Sequence, residues 1–176
     1  MPRNWEERYA DAGSLDFTPS PVLAELTEVA PGRALDLACG AGRNALYLAS
    51  LGWTVVAVDG SAAAIGILRG RAAGLAIDAR VADLESGGFV IEPAAYDLIC
   101  DFFYLDRGLF PHMREGVRPG GLFAGEIHLE DGTPHRFVLK PGELRHEFAG
   151  WKILYYSEAV RPGRARASAA ILARRA

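Results

Sequence analysis

The sequence predicts one α/β domain built on an open, doubly wound sheet, and three observations predict it. The apolar run Ala34-Leu35-Asp36-Leu37-Ala38 ends in Cys39-Gly40-Ala41-Gly42, and a helical pattern opens immediately on Arg43-Asn44-Ala45. That succession is a strand, a tight glycine turn and a helix N-terminus, the usual start of a nucleotide-binding βα unit. Short apolar runs then alternate with helical patterns as far as Ile127, which is how a parallel sheet covered on both faces is written. Beyond Ile127 two strands follow, joined by Arg161-Pro162-Gly163-Arg164, a link short enough to make them antiparallel. Seven strands are expected, mostly parallel, with a C-terminal antiparallel hairpin.

The elements follow in order. Asn4 to Ala12 reads as a short polar helix with Trp5 and Tyr9 four apart on one face. Ser20-Pro21 reads as an N-cap followed by proline at the first helical position, opening a helix to about Val29 that Pro31-Gly32 stops. Strand one is Ala34–Ala38, and the helix after the glycine turn covers Arg43–Leu51, with Gly52 just past its end. The β-branched run Thr54–Val58 is strand two. It leads into Asp59-Gly60, and Ser61 caps a helix to about Ala73. Ile77–Val81 and Tyr96–Cys100 are strands three and four, with a helix over Arg107–Val117 after the latter. Pro119-Gly120-Gly121 is a turn before strand five, Leu122–Ile127. A short helix is expected between Pro141 and Phe148, then strands Trp151–Val160 and Ala165–Leu172.

Composition narrows the function classes. In 176 residues, half are hydrophobic, enough for a two-faced buried sheet, and the formal net charge of -3 gives no global pull towards nucleic acid or an anionic membrane. Lys140 and Lys152 are the only lysines, so Schiff-base chemistry has almost no candidates. Cys39 and Cys100 have no local thiol or imidazole partner and read as buried free thiols, with no metal site. Met1 to Glu7 lacks a signal-peptide apolar region and no stretch reaches membrane-spanning length, so a cytoplasmic protein is expected, as monomer or homodimer.

In an open α/β sheet the ligand sits outside the carboxyl ends of the strands, where strand order reverses. This chain puts acids there: Asp36 within strand one, Asp59 after strand two, Asp83 after strand three and Asp101 after strand four. Asp59 stands where a carboxylate accepts from ribose hydroxyls. Four carboxylates around one crevice would repel a pyrophosphate and suit a ligand carrying positive charge.

With these motifs the chain resembles the class I S-adenosylmethionine-dependent methyltransferases, along nearly all of its length. Leu35-Asp36-Leu37-Ala38-Cys39-Gly40-Ala41-Gly42-Arg43-Asn44 resembles the first motif of that class and Val58-Asp59-Gly60-Ser61 the second. Val81-Ala82-Asp83-Leu84 resembles the adenine-contacting segment, Tyr96-Asp97-Leu98-Ile99-Cys100-Asp101 the fourth motif, and Arg118-Pro119-Gly120-Gly121-Leu122-Phe123 the turn before strand five. Gly42-Arg43-Asn44, Trp5-x-x-Arg8-Tyr9 and Leu139-Lys140-Pro141-Gly142-Glu143-Leu144 are most similar to the small bacterial branch that includes tellurite-resistance methyltransferases.

The resemblance implies a Rossmann-like core over residues 31–176, with N-terminal helices over residues 1–30 forming a lid and the first flanking helix. It implies S-adenosyl-L-methionine as cofactor, with Asp36, Cys39, Gly40, Gly42, Arg43 and Asn44 around the methionine end and Asp59 and Gly60 at the ribose. Asp83 and Leu84 would meet the adenine, and Asp101 and Phe102 would flank the sulfonium. Arg8 or Arg43 would add a contact to the methionine carboxylate. Transfer would be a direct in-line displacement to a small-molecule acceptor, with His128 the best-placed general base and Tyr104 and His112 behind it. Trp5, Tyr9, Phe102, Phe103 and Tyr104 would close the acceptor pocket. The C-terminal arginines, Arg161, Arg164, Arg166, Arg174 and Arg175, read as a solvated rim with no nucleic-acid role. The alternatives are an NAD(P)-binding domain, which leaves Asp83 and Asp101 without a task, and a catalytically silent cofactor-binding module.

Overall fold

The strands β1 (Arg33–Leu37), β2 (Thr54–Asp59), β3 (Ile77–Val81), β4 (Tyr96–Phe102), β5 (Val117–His128), β6 (Lys152–Val160) and β7 (Ala167–Arg174) form one sheet in the order β3-β2-β1-β4-β5-β7-β6. The computed structural model describes residues 5–10, 15–26, 29–132 and 137–176. The first five strands pair in parallel, while β7 lies antiparallel between β5 and β6. The expected terminal hairpin is present, and its second strand is inserted into the sheet while β6 takes the edge.

Alternation along each strand divides the core into two layers. Ala34, Val55, Leu98 and Cys100 share one layer with Ala45 and Leu48 of α2 (Arg43–Ser50), Ile65 and Leu68 of α3 (Ala62–Arg71), and Trp53. Leu35, Val56, Ile99 and Phe123 share the other with Phe110 and Met113 of α4 (Leu109–Gly116), Leu144 of α5 (Glu143–Glu147), and Phe148. Phe148 centres an aromatic cluster, stacked on Phe123 at 4.2 Å and edge-on to Phe110 and Trp151. Cys39 and Cys100 are both buried and free. Among the described residues no helix is long and apolar enough to cross a membrane.

Several boundaries differ from the sequence expectation. β4 continues two residues past Cys100, so Asp101 and Phe102 lie inside the strand. β5 begins at Val117 and absorbs Pro119-Gly120-Gly121. Arg175 stitches that segment to the sheet: Gly120 N–H donates to its carbonyl at 3.0 Å, and its own N–H donates to the Gly121 carbonyl at 2.9 Å. A distant strand end thus overrides a local turn signal.

The β3–β4 connection holds turns in place of a helix. The first α-helix, α1, is Trp5–Ala10, and residues 4, 11 and 12 of the expected span lie outside the described residues. The helix expected from Ser20 is a 3-10 helix over Pro21–Leu26, with residues 27 and 28 not described. Its start is held by the Ser20 carbonyl, which accepts from Leu23 N–H at 2.9 Å. The Ser20 hydroxyl makes no cap and finds no partner among the described residues. Ser61 does cap α3, its hydroxyl accepting from Ala64 N–H at 3.1 Å.

Candidate functional site

β1 pairs with β2 on one side and β4 on the other, so the strand order reverses between β1 and β4. The chain leaves both of these strands through a strained residue: Ala38 has φ 49° and Phe103 φ 65°, left-handed values for residues carrying a Cβ. The turn after β1 is tied across the sheet. Cys39 N–H donates to the Val58 carbonyl at 3.0 Å and Gly40 N–H to Asp59 Oδ2 at 2.8 Å. The other Asp59 oxygen accepts from Ser61 N–H at 2.8 Å, so one carboxylate joins the turns after β1 and β2. Each of its oxygens keeps a second lone pair for a ligand hydroxyl. Burial, as the largest influence, still leaves Asp59 above the ordinary carboxylate range. Gly40 and Gly42 both have positive φ. A Cβ on Gly42 would collide with Leu68, so this glycine sets the close approach of the α2 turn to α3.

Asp36 and Asp101 are each only 1% exposed, and Asp36 Oδ2 and Asp101 Oδ1 have no hydrogen-bond partner among the described residues. Burial pushes Asp36 up to about 7, with Arg43 and the Ala45 N–H acting against it, and pushes Asp101 well up against the Tyr104 N–H. Two carboxyl groups with unmet oxygens beside the switch point suit a cationic ligand and disfavour a pyrophosphate. Three of the acids are electrostatically linked, Asp59 acting on Asp36 and Asp36 on Asp101. Asp36 registers with Cys100 and Leu37 with Asp101, which sends the two buried side chains to opposite faces of the sheet. Asp83 is exposed beyond β3 and held below its ordinary range by Ser86 and Glu85, its Oδ1 accepting from Glu85 N–H at 2.9 Å. Leu84 beside it is buried.

α1 lies over the glycine turn. The Tyr9 hydroxyl packs directly on Gly40, where any Cβ would displace it, and burial raises the Tyr9 pKa with Asp59 adding to it. Glu6 reaches the N-terminus of α3, accepting from Ala62 N–H at 2.6 Å and Ala63 N–H at 3.2 Å. Trp5 stacks on Tyr9 at 6.5 Å between centroids, and the Arg8 guanidinium sits 5.3 Å from the Trp5 ring. Asn44 anchors the N-terminal segment as well, its Oδ1 accepting from Ser20 N–H at 2.8 Å. The Cys39 thiol is buried against the Gly40 carbonyl, and burial raises it well above its ordinary value. Gly60 borders the Ala82 carbonyl, with ordinary van der Waals space for a Cβ.

On the β4–β5 side the wall is basic. The His128 ring, at the end of β5, lies 4.8 Å from the Phe103 ring. The guanidinium carbons of Arg43 and Arg164 stand 5.8 and 5.5 Å from the same ring. Arg43 is lowered from its ordinary pKa, first by burial and then by Arg164, and it feels both Asp36 and Glu126. Arg161 Nε donates to Glu126 Oε1 at 2.8 Å, and the Ser168 hydroxyl donates to the same oxygen at 2.6 Å. Phe102 is buried, while the Tyr104 hydroxyl is enclosed with no partner among the described residues. Burial and the acids around it raise the Tyr104 pKa, which keeps the phenol neutral. His112 is exposed on α4.

The solvated-rim expectation for the C-terminal arginines is thereby corrected for Arg161 and Arg175, while Arg164 and Arg174 are exposed. Arg161 turns inward to a buried carboxylate, Arg164 covers Phe103, and Arg175 caps the Arg114, Glu115 and Val117 carbonyls. Arg166 pairs with Asp131 at 2.9 Å, while Arg174 stays exposed. Glu126, Ser168 and Glu6 are site-side residues that sequence reasoning missed. The signal for Glu126 was a lone acid in an otherwise apolar strand. A separate surface recess of about 440 Å³, lined by Arg145, His146, Phe148 and Trp151 among others, contains none of the expected site residues.

Comparison with known proteins gives a consistent picture. The family model described as "Tellurite resistance protein TehB" matches residues 3–166. The chain is 35% identical to a protein named Hemagglutinin 1 from Eikenella corrodens, over 81% of this chain and 51% of that one. It is 29% identical to a probable S-adenosyl-L-methionine-dependent methyltransferase TehB of Haemophilus influenzae, over 74% of this chain and 49% of the relative. The chain therefore spans about half the length of these relatives. In three dimensions it superposes on the crystal structure of TehB from Haemophilus influenzae with a TM-score of 0.79 at 24% identity, covering 98% of this chain and 67% of that one. An S-adenosylmethionine-dependent methyltransferase from Mesorhizobium loti superposes with a TM-score of 0.71 at 18% identity, covering 88% and 95% of the two chains.

Proposed function

The chain belongs to the TehB family of class I S-adenosylmethionine-dependent methyltransferases, and from that premise we propose that it methylates a small anionic acceptor, with a tellurium oxyanion the first to test. The observation that carries this reading is the arrangement of charge at the carboxyl end of the sheet. Unpartnered oxygens of Asp36 and Asp101 lie towards the ends of β1 and β4, and the guanidinium groups of Arg43, which also acts on Asp36, and of Arg164 converge on Phe103 beside His128.

The residues present fit the cofactor. It carries an ammonium and a sulfonium, the groups that the orphaned Asp36 and Asp101 oxygens can take, and ribose hydroxyls that the free lone pairs of Asp59 can accept from. Asp83 and the buried Leu84 would meet the adenine. When bound, the cofactor supplies an electrophilic methyl group on a good leaving group. What the protein must then do is align the acceptor and exclude water. Arg161, Arg164 and Arg43 hold the acceptor's negative charge, and the Phe103 ring fixes its distance from β4. His128 takes the proton of an acceptor that arrives protonated, while Tyr104, kept neutral, serves as a donor. The N-terminal lid, with Tyr9 on the glycine turn, shields the cofactor side.

Calorimetry with S-adenosylhomocysteine followed by single turnover with labelled cofactor against tellurite, selenite and small thiols tests the proposal. Micromolar binding and transfer to an oxyanion, with the product identified by mass, are expected. Failure to bind S-adenosylhomocysteine overturns the methyltransferase reading. Binding without transfer to any acceptor supports a silent cofactor-binding module instead.

A further inference from the structure

Resting on the anionic-acceptor reading above, we propose that Glu126 is a positioning residue that sets the acceptor wall by holding Arg161 and Phe103 from a single point in β5. Glu126 is 2% exposed and lies in the buried stretch of its strand, among Ala124, Gly125 and Ile127. Its side-chain Oε1 takes Arg161 Nε–H at 2.8 Å and the Ser168 hydroxyl at 2.6 Å. Its backbone carbonyl takes the N–H of Phe103 at 2.7 Å, at the position where φ is left-handed. The Glu126 side chain therefore reaches the turn between β6 and β7, while its backbone continues the β4–β5 ladder to the strained exit of β4.

The turn passes this constraint on. Arg161 opens it, and Arg164 N–H closes it on the Arg161 carbonyl at 3.0 Å. Fixing the Arg161 side chain thus fixes the turn that lays Arg164 over Phe103. Arg161 spends only its inner nitrogen on Glu126, and its terminal Nη2 is enclosed with no partner among the described residues. A guanidinium held at its Nε, with a terminal donor left unmet, keeps a charged hydrogen bond to offer an oxyanion. A buried ion pair contributes little net stability compared with an apolar pair of the same shape, so what the Glu126–Arg161 pair offers is direction. Ser168 occupies the remaining reach of Oε1, which keeps the carboxylate from turning away.

Glu126→Gln, Arg161→Gln and the double variant test the assignment, each assayed for S-adenosylhomocysteine affinity, tellurite affinity in that complex by calorimetry, and KM and kcat for tellurite. Glu126→Gln is expected to leave S-adenosylhomocysteine affinity within about twofold and to raise the tellurite Kd and KM about tenfold, with kcat changed less. Arg161→Gln should do at least as much, and the double variant no more than Arg161→Gln alone, because Glu126 acts through Arg161. Glu126→Asp, which keeps the charge, should recover part of the loss. Unchanged tellurite affinity in Glu126→Gln, or effects that multiply in the double variant, overturns the assignment. If Glu126→Gln fails to fold, Ser168→Ala leaves both charges in place and should raise the tellurite KM about threefold, and an unchanged KM counts against the proposal. Wild-type protein that binds S-adenosylhomocysteine but no oxyanion overturns the acceptor reading, and this inference with it. A wild type that binds tellurite while Glu126→Gln binds it equally well overturns this inference alone.

Discussion

Burial pushes the Asp36 carboxyl up to about 7, against the pull of Arg43 and the Ala45 N–H. Between the ordinary carboxylate value near 4 and about 7, the folded protein holds a proton that the unfolded chain has released. Stability from this group is therefore greatest at low pH and is lost as pH rises towards 7, by an amount of order 4 kcal/mol at most. Asp36→Asn should remove that slope and make the ligand-free protein more stable than wild type at pH 8, as read by urea unfolding at pH 5 and pH 8. An equal slope in both proteins would mean that Asp36 is ionised throughout. At this scale Asp36, Gly40 and Asp59 were legible because a strand, a glycine turn and a following acid are a local pattern. Glu126 and Arg161 were not, because they stand 35 positions apart and no local signal says that they meet.

At the scale of elements, the N-terminal helix illustrates how a weak local signal gains a place. α1 has six residues, too few to be stable alone, and it is held by what it touches. Glu6 covers the first N–H groups of α3, where a carboxylate is favoured by both hydrogen bonding and the helix dipole. Tyr9 presses on Gly40. Because α3 begins just past Asp59, this latch ties the helix to the ribose side of the proposed cofactor site. Glu6→Ala should speed S-adenosylhomocysteine dissociation about threefold or more in stopped-flow measurements while leaving the far-ultraviolet circular dichroism unchanged. An unaltered dissociation rate would remove α1 from the role of a lid. The strand and helix periods of β1, α2, β2 and α3 were readable in advance. The 3-10 helix at Pro21–Leu26 and the long β5 were not, because contacts with Asn44 and Arg175 settle them.

For the molecule as a whole, the position of β7 matters most. It pairs with β5 along seven registered positions and with β6 on its other side, and Ala169 to Ala173 are all buried. Removing residues 152–176 would expose the flank of β5 together with both core layers, far more apolar surface than a marginally stable domain can lose. A chain ending at Trp151 should be unfolded or insoluble, as judged by circular dichroism and gel filtration. A folded monomer would show that the five parallel strands are an independent unit. The same insertion brings the β6–β7 turn back over the carboxyl ends of β4 and β5, so the closing hairpin completes the sheet and supplies two arginines to the proposed acceptor wall.

The sequence by itself determined the α/β class, the parallel direction of the early strands, the glycine turn and the acids in or after strands one to four. Each of these depends on a period, a turn preference or a spacing within one βα unit, and such signals are local. Only the tertiary structure decided that Asp36 and Asp101 point to opposite faces, because that depends on a register between strands distant in sequence, which pairs Asp36 with Cys100 and Leu37 with Asp101. It alone decided that Arg161 turns inward and that Arg164, itself exposed, lies over Phe103, because β7 must first pass between β5 and β6 before their side chains can meet Glu126 and Phe103. The glycine turn and its acids could be read along the chain, whereas the basic wall facing them exists only once the last strand is in place.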